Sequence, residues 1–333
     1  MTLNYKIHKI VYLHNKILKE DAVKLESSQK NIAIIIHVFY VDIWKEIKNY
    51  LCNLDIAYDI YITVPEDTSE NTLVEMFENT PNIHIYMVEN RGRDVLPFLQ
   101  VMNIIGIENY NYICKIHTKK TGESALGNVW RKLLYFDLLG SRETVNSIIN
   151  LFENDGNIGI ITGKNTILDS QRYTYGNRDN IDLLASKLHI TYDEPYRFPA
   201  GTMFWARSNI VAPIVNLFTN GQLDFEEEAG QKDDTLAHAV ERFFGIIAQE
   251  QHQKILESPA KYSCLPDTTL NEVASLVLSQ QYVGEDVFSM QKQKIFELEA
   301  LAKSMRIKNR LKRIIPNEII HLAKKIAKIS KKP

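Results

Sequence analysis

The chain has 333 residues, 45% of them hydrophobic and 24% charged, enough apolar material for one large or two modest globular domains. Three cysteines, Cys52, Cys114 and Cys264, follow no metal-binding or redox spacing, which argues against structural disulfides and for a reducing compartment. The net charge of −2 is unevenly spread: residues 301–333 carry eleven Lys or Arg against one acid, Glu318, leaving −12 on the rest, and no run approaches the ~18 apolar residues of a spanning helix.

Residues 1–20 have no uninterrupted apolar core ahead of a small-residue cleavage site, so no secretory signal is expected. Residues 1–30 are polar and weakly periodic, with Val11, Leu13, Ile17 and Leu18 spaced as one helical face; this extension is expected to be helical. Residues 31–39 (NIAIIIHVF) are a short Ile- and Val-rich run of the kind buried on both faces of a parallel sheet. Ile43, Trp44, Ile47, Tyr50, Leu51 and Leu54 follow at helical spacing. Further strands are expected at 58–64, 83–88, 110–116 and 158–162, with helices at 69–79, 94–105, 129–139, 145–153, 180–188 and 210–218. A helix capped by Asp233 or Asp234 is expected to run through Phe244 and stop at Gly245. Helices at 288–302 and 307–331 complete the chain. Strands alternating with helices of this length predict βαβ units and a mainly parallel sheet.

Two strand ends stand out, because open α/β sheets bind ligands at the carboxyl ends of their strands. Residues 88–94 (VENRGRD) put Arg91 and Arg93 on a glycine-bearing turn ahead of a helix whose expected N-cap is Asp94. Guanidinium forks and a helix N-terminus suit phosphate, though a solvated surface turn has the same composition. Residues 112–120 (YICKIHTKK) place Lys115 and His117 on one side of a strand, with Lys119 and Lys120 beyond. Three neighbouring lysines disfavour the charged form of His117, leaving an imidazole able to meet a phosphate or take a proton. His37, with Tyr40 and Asp42 after it, ends the first internal strand, either facing a nucleotide or closing the strand end. Asp234, His238 and Glu241 fall on one helix face if the helix begins at the Asp pair; one carboxylate is needed as cap, and the acid run Glu226–Glu228 serves either chemistry or a solvated face. No second ligand set accompanies them, so no metal is expected. The tail, Lys303 to Lys331 with interleaved Ile and Leu, reads as a basic amphipathic helix for an anionic membrane surface, or as a helix packed on the body. It lacks the aromatics of a nucleic-acid binder, so no nucleic acid is expected.

Six segments in order, HVFYVDIW from His37, YDIYITVP from Tyr58, ENRGRDVLPFL from Glu89, YICKIHTKK from Tyr112, FPAGTMFWAR from Phe198 and GQKDDTLAHAVER from Gly230, resemble the rhamnan synthesis protein F family of bacterial surface-polysaccharide assembly. The resemblance covers about residues 31–250, and the family pattern has Gly where this chain has Asp234. The same segments are similar to GT-A inverting glycosyltransferases, except that Lys115-Ile116-His117 stands where those enzymes keep a metal-binding Asp-X-Asp.

The resemblance implies an α/β, GT-A-like (Rossmann-like), mainly parallel sheet flanked by helices over residues 31–260, then a helical region over 261–333. It implies transfer of a sugar, rhamnose or similar, from a nucleotide-sugar donor to a lipid-linked glycan acceptor at the cytoplasmic face of the membrane. Asp233 is the implied catalytic base. His37, Tyr40, Arg91, Arg93, Asp94, Lys115, His117 and Lys119 are the implied donor site, and Gly201, Thr202, His238, Glu241 and Arg242 the acceptor side or its support. Fixed cations replacing the acids imply that no divalent metal or other cofactor is required. A catalytically inactive glycan- or nucleotide-sugar-binding scaffold is the competing expectation, favoured by the missing Asp-X-Asp. A nucleotidyl-type enzyme has no phosphate-binding loop in its support.

Overall fold

The structure, a computed structural model, describes residues 5–9, 12–13, 16–17, 31–77, 83–120, 125–231, 233–266 and 268–273. The helices expected at 288–302 and 307–331, with the basic tail, lie outside these residues. The chain divides into two compact units, Met1–Gly122 with Trp130–Cys264, and Glu123–Val129 with Leu265–Pro333. In the second unit, residues 125–129 and 268–273 are helical.

The first unit is built on one eight-stranded sheet. In chain order its elements begin with strand β1 (Tyr5–Lys9) and the short hairpin β2 (Tyr12–Leu13) and β3 (Lys16–Ile17). An alternating series follows: β4 (Ile32–His37), α1 (Trp44–Leu51), β5 (Asp59–Pro65), α2 (Glu70–Phe77), β6 (Ile83–Val88), α3 (Val95–Ile105), β7 (Tyr112–His117) and α4 (Ala125–Leu139). Next come α5 (Arg142–Asn154), β8 (Ile158–Thr162), β9 (Ile167–Asp169), α6 (Ser170–Tyr173), α7 (Arg178–Leu188), β10 (Arg197–Pro199), β11 (Phe204–Arg207), α8 (Ser208–Thr219), α9 (Leu236–Glu250) and β12 (Lys254–Glu257). The sheet order is β1-β6-β5-β4-β7-β11-β8-β12. Every pairing in it is parallel except those of β11, which runs antiparallel to both β7 and β8.

This is the α/β, Rossmann-like, mainly parallel sheet flanked by helices that the alternating pattern predicts. The central strands β4 and β7 are buried at every position, as strands covered by helices on both faces must be. Strands β4 and β7 pair in register from Ile32 opposite Tyr112 to His37 opposite His117, so both histidines close adjacent strands at the same edge.

Four local features differ from expectation. The extension expected to be helical supplies strand β1, which pairs in parallel with β6; its sequence YKIHK alternates with a period of two, the strand signal that the more distant apolar positions masked. The helix expected to stop at Gly245 continues to Glu250. Gly245 is there for close approach: a Cβ would land on the backbone carbonyl oxygen of Arg197, where β10 crosses α9. The cap of α9 is Thr235, not Asp233 or Asp234; Thr235 and His238 form a reciprocal capping box, with Thr235 Oγ1 and His238 Nδ1 2.8 Å apart. Finally, Asp94 occupies the N-cap position of α3 without making the side-chain cap, because its carboxylate is engaged elsewhere.

Candidate functional site

At the carboxyl edge of β7, side-chain alternation sends Lys115 and His117 to the same side, and both meet Asp94. Lys115 is almost wholly buried. Its ammonium donates to Asp94 Oδ2 and, over 3.0 Å, to the backbone oxygen of Thr202. His117 Nδ1 lies 3.4 Å from Asp94 Oδ2 and forms no hydrogen bond among the described residues. His37 Nδ1 shares a 2.8 Å hydrogen bond with Thr63 Oγ1 on the neighbouring strand β5.

Burial sets the protonation of these groups. It pushes His37 down to about 4 and His117 down to about 3, against the attraction of Asp94 and with the help of Lys115. The expected neutral His117 is therefore reached chiefly by desolvation, with Lys115 and Lys119 contributing less. Burial alone would raise the Asp94 carboxyl, but the cationic surroundings of His117 and Lys115 and the Lys115 hydrogen bond hold it well below the usual carboxylate range. Because His117 is neutral near pH 7, the Lys115 ammonium is the charge that keeps Asp94 ionised there.

The doubly basic turn is also engaged. Gly92 takes φ 61° and packs under Phe225, and Arg93 follows with φ 54°. Arg91 forms an isolated antiparallel bridge with Glu227, and its guanidinium lies 3.6 Å from that carboxylate. The Arg93 N–H donates to Glu228 Oε1 over 2.9 Å, and its guanidinium donates to the Gln231 carbonyl oxygen. Glu226 accepts from the backbone N–H of Leu236 at the start of α9. Glu227 and Glu228 are thus the partners of the ENRGRD turn, while Glu226 serves the start of α9. Opposite charge in the two segments was the available signal, and nothing in either segment alone gave their proximity.

Lys120 pairs with Asp42 at 2.8 Å and sits 4.9 Å from the centre of the Tyr40 ring. Lys119, partly buried, rests 4.5 Å over the Trp130 ring and has no carboxylate within ion-pair distance among the described residues. Burial lowers its pKa; Glu241 and Asp94 oppose the shift, while Arg93 and Lys115 add to it. Tyr40 and Phe39, which is 36% exposed, line a cleft of about 560 Å³ with Asp42, Lys45, Lys48 and Thr72. The Tyr40 N–H donates to Thr118 Oγ1 over 2.8 Å, joining the two strand ends that carry His37 and His117.

The second acid group lies on and before α9. Asp233 is held at both oxygens: Asn177 donates to Oδ1 over 2.9 Å and Arg242 to Oδ2 over 3.2 Å. Asp234 precedes the helix, takes φ 69° and accepts from the Gly176 N–H over 2.9 Å, so it does not share a helix face with His238 and Glu241. A positive φ is where glycine is most at ease, which accounts physically for a family pattern with Gly there. His238 is committed to the capping box, lies 3.7 Å from Asp233 and is pushed down to about 4, chiefly by burial. Arg242 is buried, bonded to the Tyr173 and His238 carbonyl oxygens as well as Asp233. Glu241 accepts from the Gly201 N–H over 2.6 Å, and burial raises its pKa. Gly201 (φ 86°) and Thr202 (φ 51°) form the tight turn between β10 and β11 that links Glu241 to Lys115. Asn177 and Trp130 are the residues that no sequence motif indicated.

Open α/β sheets bind their ligands at the carboxyl ends of the strands, and here that edge carries His37, Lys115 and His117. Residues 2–253 match the family described as rhamnan synthesis protein F, and the chain belongs to that family. It is 31% identical over 241 residues to the uncharacterized protein WxcX of Xanthomonas campestris pv. campestris, in strains B100 and ATCC 33913 alike; the match covers 70% of this chain and 33% of WxcX. The chain thus spans about a third of the length of the curated relatives it matches. Among solved structures, 4-diphosphocytidyl-2C-methyl-D-erythritol synthase from Anaerococcus prevotii DSM 20548 aligns at TM-score 0.37 and 12% identity, covering 74% of this chain and 96% of that one. A candidate nucleotide-diphospho-sugar transferase from Desulfovibrio desulfuricans G20 aligns at 0.36 and 8%, covering 83% and 98%.

The depressed histidines carry a stability consequence. His37, His117 and His238 bind protons near pH 6.5 when unfolded but only near 3 to 4 when folded, so stability is full above pH 6.5 and falls as pH drops through that window. Glu241, raised, opposes this with one proton; Asp94, depressed, loses its contribution only at still lower pH. Denaturant unfolding is expected to show a lower folding free energy at pH 5 than at pH 7, by on the order of 1.4 kcal/mol per pH step per histidine at most. Replacing His117 with Gln should flatten the slope; equal stability at both pH values would contradict the assignment.

Proposed function

We propose that this chain is a glycosyltransferase of polysaccharide assembly, moving a sugar, rhamnose or similar, from a nucleoside-diphosphate donor with inversion and without a metal. The observation that carries the reading is Lys119, which rests beside the buried Asp94–Lys115–His117 cluster with no carboxylate in ion-pair contact among the described residues. In such a transfer the acceptor oxygen attacks the anomeric carbon, the bond to phosphate breaks, and the diphosphate leaves with the electron pair. Fixed cations stabilise that growing charge as a metal would. Lys119 is the ligand proposed for the leaving diphosphate, with Arg93 beside it, while Lys115 is occupied by Asp94 and Thr202 and supports the edge from beneath. The Phe39–Tyr40 cleft is proposed for the nucleoside, since exposed aromatic faces stack on bases.

A binding-only scaffold is the second reading, favoured by the occupation of Arg91 and Arg93 by Glu227, Glu228 and Gln231. The two are separated by incubating the protein with dTDP-rhamnose, UDP-glucose and GDP-mannose in the presence of a bacterial lipid extract and assaying released nucleoside diphosphate. Release that survives EDTA and falls about 100-fold in Lys119→Ala is the expected outcome. Release from no donor would reject the enzyme; loss on chelation with recovery by Mn²⁺ would reject metal independence.

No helix among the described residues is long and apolar enough to cross a membrane. A lipid-linked acceptor and docking of residues 303–331 on an anionic leaflet are proposed from the tail's basic composition. Flotation with phosphatidylglycerol vesicles should be lost when residues 303–333 are deleted; undiminished flotation would contradict docking by the tail.

A further inference from the structure

Two carboxylates of the α9 region compete for the role of proton acceptor in the proposed transfer, and their surroundings differ. Asp233 is tied at both oxygens, to Asn177 and to the buried Arg242, which is itself fastened to two backbone carbonyls. One bond to each oxygen fixes the orientation of Asp233, and moving it would uncover a buried guanidinium. Glu241 lies in the second turn of α9 and is held at one oxygen only, Oε1, by the Gly201 N–H over 2.6 Å. Its Oε2 has no hydrogen bond among the described residues, and Glu241 is partly buried.

The charges around Glu241 come from three elements. Burial raises its pKa; Arg242, its neighbour on α9, and Lys119, beyond β7, lower it, and Asp94, at the start of α3, raises it. Lys119 and Glu241 act on each other's titration, yet no ion pair within 4 Å joins them. The Trp130 ring under Lys119 also lies against Gly201, where a Cβ would sit 3.4 Å from it, so the cation and the turn that holds Glu241 flank one ring. A transfer reaction needs a cation for the leaving diphosphate and a base for the attacking hydroxyl around one sugar.

We propose that Glu241, not Asp233, is the general base, taking the acceptor hydroxyl proton on Oε2, while Asp233 is a positioning residue that anchors Arg242 and the start of α9. The inference rests on the glycosyltransferase reading. The hydroxyl proton passes to Glu241, the oxygen forms its bond to the anomeric carbon, and the anomeric carbon–phosphate oxygen bond breaks towards Lys119. Burial, which raises the Glu241 carboxyl above its ordinary value, makes it a better base at neutral pH. The Gly201 N–H bond keeps Oε1 in place, so Oε2 is presented in a fixed direction.

The test uses the full chain and whichever of dTDP-rhamnose, UDP-glucose and GDP-mannose the wild type consumes. Glu241→Gln keeps an oxygen for the Gly201 N–H and is expected to fold. Its kcat should fall about 100- to 10,000-fold. Binding of UDP and dTDP, measured by calorimetry, should stay within threefold, and the acidic limb of the wild-type pH–rate profile should disappear. Asp233→Asn should keep that limb and lose less than tenfold in kcat, its effect falling mainly on KM and thermal stability. Near-normal kcat in Glu241→Gln, or the loss of the acidic limb in Asp233→Asn alone, would overturn the assignment while leaving the enzyme reading intact. A wild type that consumes none of the three donors would overturn both.

Discussion

A carboxylate and an ammonium can share a dry strand edge only if each answers the other, and Asp94 and Lys115 meet that condition at the centre of this sheet. Lys115 leaves β7 between parallel β4 and antiparallel β11, where water is excluded, and reaches both Asp94 and the Thr202 carbonyl. One ammonium therefore fastens the turn after β6 to the turn before β11. The same turn is gripped from the other side by Glu241 through the Gly201 N–H. Loops that are separate in sequence thus become one connected edge, and the neutral histidines His37 and His117 fill it without adding charge.

Pairing also decides which charges remain for a ligand. The basic edge that reads as open in the sequence is largely satisfied from within: Lys115 by Asp94, Arg91 by Glu227, and Lys120 by Asp42. Lys119 differs, stacked on Trp130 and lacking an ion pair among the described residues. Against it stands Glu241, half-held and raised by burial. In the proposed transfer, that cation and that half-held carboxylate are the groups a displacement would use, a narrower set than the many basic residues first implied.

The framework was largely legible from local pattern. Ile- and Val-rich runs and helical spacing were enough for β4 to β8 and α1 to α5, because burial on two faces leaves an unbroken apolar signature. Strand β1 was hidden by a polar, period-two segment, and Gly245 read as a stop when its role is to admit the backbone of β10. At the site, the residue types around the strand ends were evident, including the shared side of Lys115 and His117. Their commitments were not, since ion pairs such as Asp94–Lys115 and Asp233–Arg242, and the role of Asn177, depend on tertiary placement. Charge types were readable; which charges cancel was not.

The dependence of this edge on one ion pair is tested most directly by a double-mutant cycle on folding free energy with Asp94→Asn and Lys115→Met. Removing either partner strands the other in a dry site and is expected to cost about 3–5 kcal/mol. The double variant should lose well under the sum of the two, because no unpaired charge is left behind. Single losses that add within about 0.5 kcal/mol would show that the two groups do not depend on each other, and would contradict the pair as the organising interaction.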